Sequence, residues 1–451
     1  MIANRHIILC VVIFATIHTN QAKVVNKNIE RSLDISSQLV KDVYKITATN
    51  SDGKPISVYT FIVPAAERKN LAFISVKDEK KKELKFTEKL VDGNNQFIIA
   101  FSTSTATEIF TIETVYIKKL TPHPREIPQS GKQLVRYEGN LYLYSPYETV
   151  TQKTNVLLSS ANILSHTQVK PFNVAANKIK YGPYENIAAF TNQSLFIHYE
   201  NERPFLTTTR LERIIELSHW GNIAVKENIF MEHTGAKLKG SFSRYDFQKD
   251  VRHGNAITAY TTLLPAAAAD VYYRDTNGNV STSNMKILHD FVELELRPRF
   301  PLFGGWKTYY TLGYNIPSFE YLFNTGDKYM LKMRLIDHIY NDMVIDEAEI
   351  KIILPEGVSN IELQTPYPVK RRPNEVHYTY LDTVGRPVVV LYTKNLVENH
   401  IANFNLKYTF SKVTLLQEPL LVVAFFFILF IIAIISLRLD FSFNTTHSHK
   451  D

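Results

Sequence analysis

Cysteine is almost missing from this chain: the single thiol in 451 residues is Cys10, inside an apolar leader. The remainder therefore has no disulfide framework, no thiol nucleophile and no cysteine–zinc site. Tryptophan is nearly as scarce, with Trp220 and Trp306 alone. The local signatures of common catalytic sites are also absent: H-E-x-x-H, the P-loop, G-x-G-x-x-G and G-x-S-x-G do not occur. His123, His219, His233 and His253 stand singly, without metal-ligand spacing, and read as surface or hydrogen-bonded core residues. Glu293 and Glu295 share one face of a strand and read as its wet side, not as an acid–base pair. No catalytic residue, cofactor or metal is expected. The net charge of +7 is spread along the chain, with no basic stripe to track nucleic acid.

Two long apolar runs are present, one at each end. Leu420–Leu437 (LLVVAFFFILFIIAIISL) has no charge and no polar stripe, and lies between Pro419 and Arg438. As a helix it spans about 27 Å, close to the hydrocarbon thickness of a bilayer. Ile7–Ile17 is shorter, follows Arg5 and precedes the polar residues His18–Gln21, which is the form of a secretory signal cut near Ala22. A cleaved signal and a C-terminal span imply a single-pass type I protein with Arg438 on the cytosolic side. Roughly 395 residues then lie on the luminal side, enough for two domains or more. A disulfide-free luminal region favours a resident of the secretory pathway.

That region is β-rich by pattern. Alternation marks Ser57–Val63, Gln96–Phe101, Glu108–Ile117, Leu141–Tyr144, Ser194–Tyr199, Phe291–Leu296, Ile345–Leu354 and Pro387–Tyr392. Turn signals such as Asp92-Gly93-Asn94 and Asn277-Gly278 separate these runs. Short helices are expected at Asn155–His166 and Ser318–Phe323. Ile29–Ser36 (IERSLDIS) matches Leu211–Ser218 (LERIIELS), and Tyr59–Pro64 (YTFIVP) matches Tyr260–Pro265 (YTTLLP). The two matches keep their order and imply a duplicated β-rich domain, with Ser241–Asn255 as an insertion in the second copy. The expected organisation is signal 1–22, sandwich-like domain 23–207, a second such domain 208–415, transmembrane helix 419–437 and a short cytosolic tail 438–451.

Lys77–Lys85 reads as a solvated charged loop, and Thr121–Pro128, with three prolines, as a rigid corner. The aromatic stretches Tyr137–Tyr147 and Trp306–Tyr314 read first as packing and second as a groove or a partner contact. Trp220, Trp306, Tyr309 and Tyr310 are the candidates for contact with a partner or substrate. Three N-x-S/T sequons begin at Asn192, Asn279 and Asn444. The first two are candidate glycosylation sites on the luminal side; Asn444, beyond the span, is expected to stay bare.

Several long strings resemble the ribophorin I family. They include Glu216–Lys226 (ELSHWGNIAVK), His233–Gly240 (HTGAKLKG) and Leu264–Asp275 (LPAAAADVYYRD). Leu296–Lys307 (LRPRFPLFGGWK), His377–Pro387 (HYTYLDTVGRP) and Leu416–Val423 (LQEPLLVV) continue the series, so the likeness runs from about Val25 to Phe441. The resemblance implies a non-catalytic, single-span subunit of the endoplasmic reticulum oligosaccharyltransferase. That complex moves a preassembled glycan from dolichyl diphosphate to the Asn of N-x-S/T sequons in nascent chains. Partners implied are the other subunits, including a many-span catalytic one with a Trp-Trp-Asp-Tyr-Gly signature, as well as nascent polypeptides, the translocon region and membrane lipids. Neither tryptophan here belongs to such a signature. One departure is the tail, which stops at Asp451, whereas animal members continue into a long charged cytosolic segment. The alternative class is an independent secretory-pathway chaperone or cargo receptor.

Overall fold

In the computed structural model the described residues are 24–91, 93–101, 105–249 and 255–439. The expected signal at 1–22, His253, nearly all of the tail and Asn444 lie outside them. The described chain is mainly β, built from several sheets, and ends in one apolar helix.

Each half is organised around a large mixed sheet. In the first half, Val24–Asp34 (β1), Val40–Asn50 (β2), Thr107–Tyr116 (β3) and Thr149–Leu157 (β4) form its centre in the order β3-β2-β1-β4. The β1–β4 pair is parallel and the other two pairs are antiparallel. In the second half, Leu206–Leu217 (β5), Asn222–His233 (β6), Lys307–Pro317 (β7) and Ile345–Ile353 (β8) repeat this as β7-β6-β5-β8, again with one parallel pair, β5–β8. Flanking strands match as well: Lys178–Ile187 lies beside β4 and Arg386–Leu396 beside β8. A three-stranded sheet holds Val58–Pro64 in one half and Tyr260–Pro265 in the other, the second pair of similar strings.

Alternation explains the packing. In β2 and β6, every second side chain is buried, so each large sheet has one apolar face. In the first half that face meets the smaller sheets in a core that includes Ile29, Leu33, Tyr59, Phe97, Phe110, Tyr137 and Ile197, a sandwich-like arrangement. The second core runs through Leu211, Ile229, Leu264, Leu294, Leu312, Leu331 and Leu406. Phe205 belongs to the first core and Leu206 to the second. A third cluster joins the halves: Leu39, Val115 and Ile117 from one pack with Val344 and Val397 from the other.

Two local expectations are corrected. Asn155–His166 is not a helix: Asn155-Val156-Leu157 completes β4 beside β1, and Ile163–His166 forms a separate short strand. Val156 and Leu158 are buried in the core, and pairing across two strands outweighs a weak local pattern. Leu141–Tyr144 is not a strand but an irregular segment whose backbone is satisfied by side chains. Gln152 accepts from Leu143 N and donates to Leu141 O, and Arg31 also donates to Leu141 O. A one-turn helix does form at Ser318–Tyr321.

Gln417–Arg438 is one 22-residue helix with no buried residue, about 33 Å long at the α-helical rise. A helix that is apolar all round and packs against nothing needs a lipid environment, so it anchors the protein in a membrane as a transmembrane helix.

Candidate functional site

The first copy buries an arginine in its core. Arg31, on β1, donates through Nε and Nη2 to Asp42 at 2.9 and 2.7 Å, and Tyr44 Oη donates to the same carboxylate at 2.7 Å. The remaining guanidinium protons reach the carbonyls of Asn140 and Leu141. One cation and one carboxylate cancel. Burial opposes charging Arg31, but Asp42 and Tyr44 outweigh it, and the guanidinium is held well above its ordinary value.

The second copy places Arg213 at the matching position of its own repeat string. Arg213 Nη1 binds two carboxylates, Glu227 on β6 and Asp337 at 2.7 Å, and all three groups are buried. Tyr314 Oη donates to Asp337. Two acids facing one base leave a surplus negative charge among buried groups. Burial, with Asp337 beside it, pushes the Glu227 carboxyl up to about 7 against the pull of Arg213. The repeat strings contained both arginines, but nothing in the sequence joined them to Asp42, Glu227 or Asp337.

Beside Arg31 is a cavity of about 510 Å³ lined by Tyr44, Tyr116, Lys119, Tyr142 and Asn192 among others. Asn192 is exposed at its rim, in the loop just before the strand Ser194–Glu200. Asn279 is exposed in the short strand Gly278–Asn279 in the other half, where its Oδ1 accepts from Arg274 Nε at 2.9 Å. Both sequon asparagines thus lie at the surface.

The four candidate aromatic residues separate. Tyr310 is buried in the second core, its ring against Tyr260 and Tyr273, and offers no surface to a partner. Tyr309, its neighbour, points to the other face of the sheet, where it is half-buried against Phe230. Trp306 is also half-buried, in a knot of rings with Phe242, Phe300 and Phe303. Trp220 alone of the four is mostly exposed, at 65%.

Trp220 lies in the turn between β5 and β6. His219 fixes that turn from below: its ring stacks on Phe410 at 4.2 Å, meets Tyr329 edge-on at 4.5 Å and shares a 3.0 Å hydrogen bond with Tyr408 Oη. Burial lowers the His219 pKa to about 4, so the ring is neutral. Trp220, Glu356, Arg386, Leu415 and Gln417 line one small cavity of about 60 Å³, at the start of the C-terminal helix. Arg386 donates to Glu418 at 3.1 Å and to Glu216 at 3.3 Å, while Gln417 Nε2 donates to Glu356 at 2.9 Å. The second β body is therefore clamped to the first turn of the anchor.

His233 is a core residue: buried, it donates through Nε2 to Asn255 O and accepts from Gly235 N at Nδ1. Among the described residues no group of three or more His, Cys, Asp and Glu is arranged to hold a metal ion.

Comparison with known proteins matches residues 24–437 to the family described as Ribophorin I. Dolichyl-diphosphooligosaccharide–protein glycosyltransferase subunit 1 of Caenorhabditis elegans is 43% identical over 429 residues, 93% of this chain and 73% of that protein. Subunit 1A of Arabidopsis thaliana is 36% identical over 433 residues, 92% of this chain and 70% of that protein. Subunit 1B of Oryza sativa subsp. japonica is 33% identical over 434 residues, covering 92% and 91% of the two chains. Among solved structures, native yeast LTA4 hydrolase aligns with 42% of this chain and 30% of its own at 9% identity, with a TM-score of 0.26, a similarity that carries no argument. A match running through both cores and into the apolar helix has one reading: the chain belongs to the ribophorin I family.

Proposed function

We propose that the protein is a non-catalytic subunit of the oligosaccharyltransferase of the endoplasmic reticulum membrane. It sits there with both β bodies in the lumen, braces neighbouring subunits and presents nascent chains to the catalytic one. The observation that carries this reading is the 43% identity over 429 residues to a protein named as subunit 1 of that glycosyltransferase. Two features favour an accessory role. The buried acids Asp42, Glu227 and Asp337 each meet a buried arginine within the cores, which makes them structural groups. The one long apolar helix among the described residues cannot by itself enclose a lipid-linked donor between helices.

The test is a mild-detergent pull-down of the tagged protein from endoplasmic reticulum membranes. The eluate is assayed for glycan transfer from lipid-linked donor to an N-x-T peptide, and its proteins are identified by mass spectrometry. Transfer activity recovered together with a many-span Trp-Trp-Asp-Tyr-Gly subunit is the expected result. A solitary, inactive protein, under conditions where the complex survives, overturns the reading in favour of an independent chaperone or cargo receptor.

A further inference from the structure

We infer that the second β body rests on the bilayer itself, through an apolar and aromatic rim around the helix entrance with Trp220 at its centre. The rim is assembled from separate loops. Trp220 is 65% exposed although the turn that carries it is rigidly braced by His219. Phe319, also exposed, is held beside that turn because Ser318 N donates to Gly221 O at 3.0 Å. Tyr380, 96% exposed, and Val384 come from the loop between His377 and Arg386, which is tied down where Glu356 accepts from the backbone of Thr383 and Gly385. Val413 and Leu416 are exposed on the short 3-10 helix that leads into the anchor.

What identifies the occupant is continuity with the spanning helix. Glu418 is the last charge before the apolar run, so the hydrocarbon begins near Leu420, about 5 Å beyond Gln417 along the helix. Gln417 and Trp220 line the same small cavity, which brings the indole to the level of the headgroups. Tryptophan and tyrosine are favoured in that layer because their rings are apolar with one polar edge.

Charge selects the kind of lipid. Glu216, Asp382 and Glu418 surround Arg386, His219 is neutral and Glu356 is engaged by backbone donors; Lys412, exposed on the 3-10 helix, is a lone cation of this rim and makes no basic cluster for anionic headgroups. The surface suits a zwitterionic interface and should be insensitive to salt. Side chains that look like unused surface thus fix the height and tilt of the β body above the membrane.

The proposal rests on the spanning reading of the helix and can be tested separately from it. The full chain carrying Trp306→Phe, whose one tryptophan is Trp220, is reconstituted into phosphatidylcholine vesicles, and flotation verifies insertion. Trp220 emission should be blue-shifted and shielded from aqueous iodide. Lipids brominated high on the acyl chain should quench it more than lipids brominated near the tail. The same signal follows from subtracting Trp220→Phe from the wild type, should loss of Trp306 disturb folding. An inserted protein whose Trp220 is open to iodide and untouched by brominated lipid refutes the rim contact and leaves the anchor standing. Failure to float with the vesicles removes both.

Discussion

The two buried arginines show how one residue position acquires different physics in two copies of a fold. Arg31 meets one carboxylate and its charge is balanced; Arg213 meets two, and burial together with the second acid raises the Glu227 carboxyl. Removing the cation should be costly, because acids would be left buried without a partner. Arg213→Met is expected to destabilise the second body by about 3–5 kcal/mol, read as a lowered unfolding midpoint in detergent. The pH dependence follows from Glu227, whose folded pKa is raised from the ordinary carboxylate range to about 7. Its stabilising proton is fully present below the unfolded pKa and is lost as pH rises through the folded one. The melting temperature should therefore fall between about pH 5 and about pH 7.5, and Glu227→Gln, which keeps an acceptor for Arg213, should flatten that slope. An unchanged slope would show that the proton resides elsewhere.

Among the elements, the insertion in the second copy changes what the duplication means. The link from the second central strand to the first strand of the three-stranded sheet covers residues 51–57 in the first half but 234–259 in the second. The longer link does not simply fill space. Lys237–Leu238 pairs in parallel with Glu126–Ile127 of the first half, Ala236 N donates to Gln133 Oε1, and Gln129 and Ser243 exchange two hydrogen bonds. Gly304 lets this segment approach, since a Cβ there would sit 1.8 Å from Ala236 O. Gly304→Ala should part the two backbones and speed proteolysis within 239–255, with both cores still folded by near-ultraviolet dichroism. Digestion at the wild-type rate would count against this contact as the fastener.

At the scale of the whole molecule, the halves are joined on several fronts. The cluster around Val115 and Val397 is one, and the ion pairs Lys41–Asp342 at 2.6 Å and Lys118–Asp346 at 2.7 Å add polar links at the seam. The clamp from Arg386 and Glu356 to Gln417 and Glu418 then ties this pair of bodies to its anchor. With both bodies on one side of the membrane, Asn192 and Asn279 should each carry a glycan. Endoglycosidase treatment of protein from endoplasmic reticulum membranes should shift its mobility by two steps. Asn192→Gln and Asn279→Gln should each remove one step. Unaltered mobility in both variants would contradict a luminal placement of the β bodies.

Much of this was legible in the residues because it depends on local pattern. An uncharged run such as Leu420–Leu437, long enough to cross a bilayer and without a polar stripe, reads as an anchor from its residues alone. Alternation in Phe291–Leu296 sets its two faces before any partner strand is known. Paired strings such as IERSLDIS and LERIIELS fall on corresponding strands of the two large sheets. What stayed hidden depends on residues far apart in the chain. Arg213 and Asp337 are separated by 124 positions, and Trp220 and Gln417 by nearly 200, so no spacing rule could bring either pair together. Tyr309 and Tyr310 are adjacent and equally aromatic, yet the pleat sends one outward and the other into the core. Composition and periodicity by themselves determined the β class and the membrane anchor. Tertiary packing alone decided which charges are buried, which aromatic ring stays exposed and where the two bodies meet, because burial and electrostatics are set by neighbours in space.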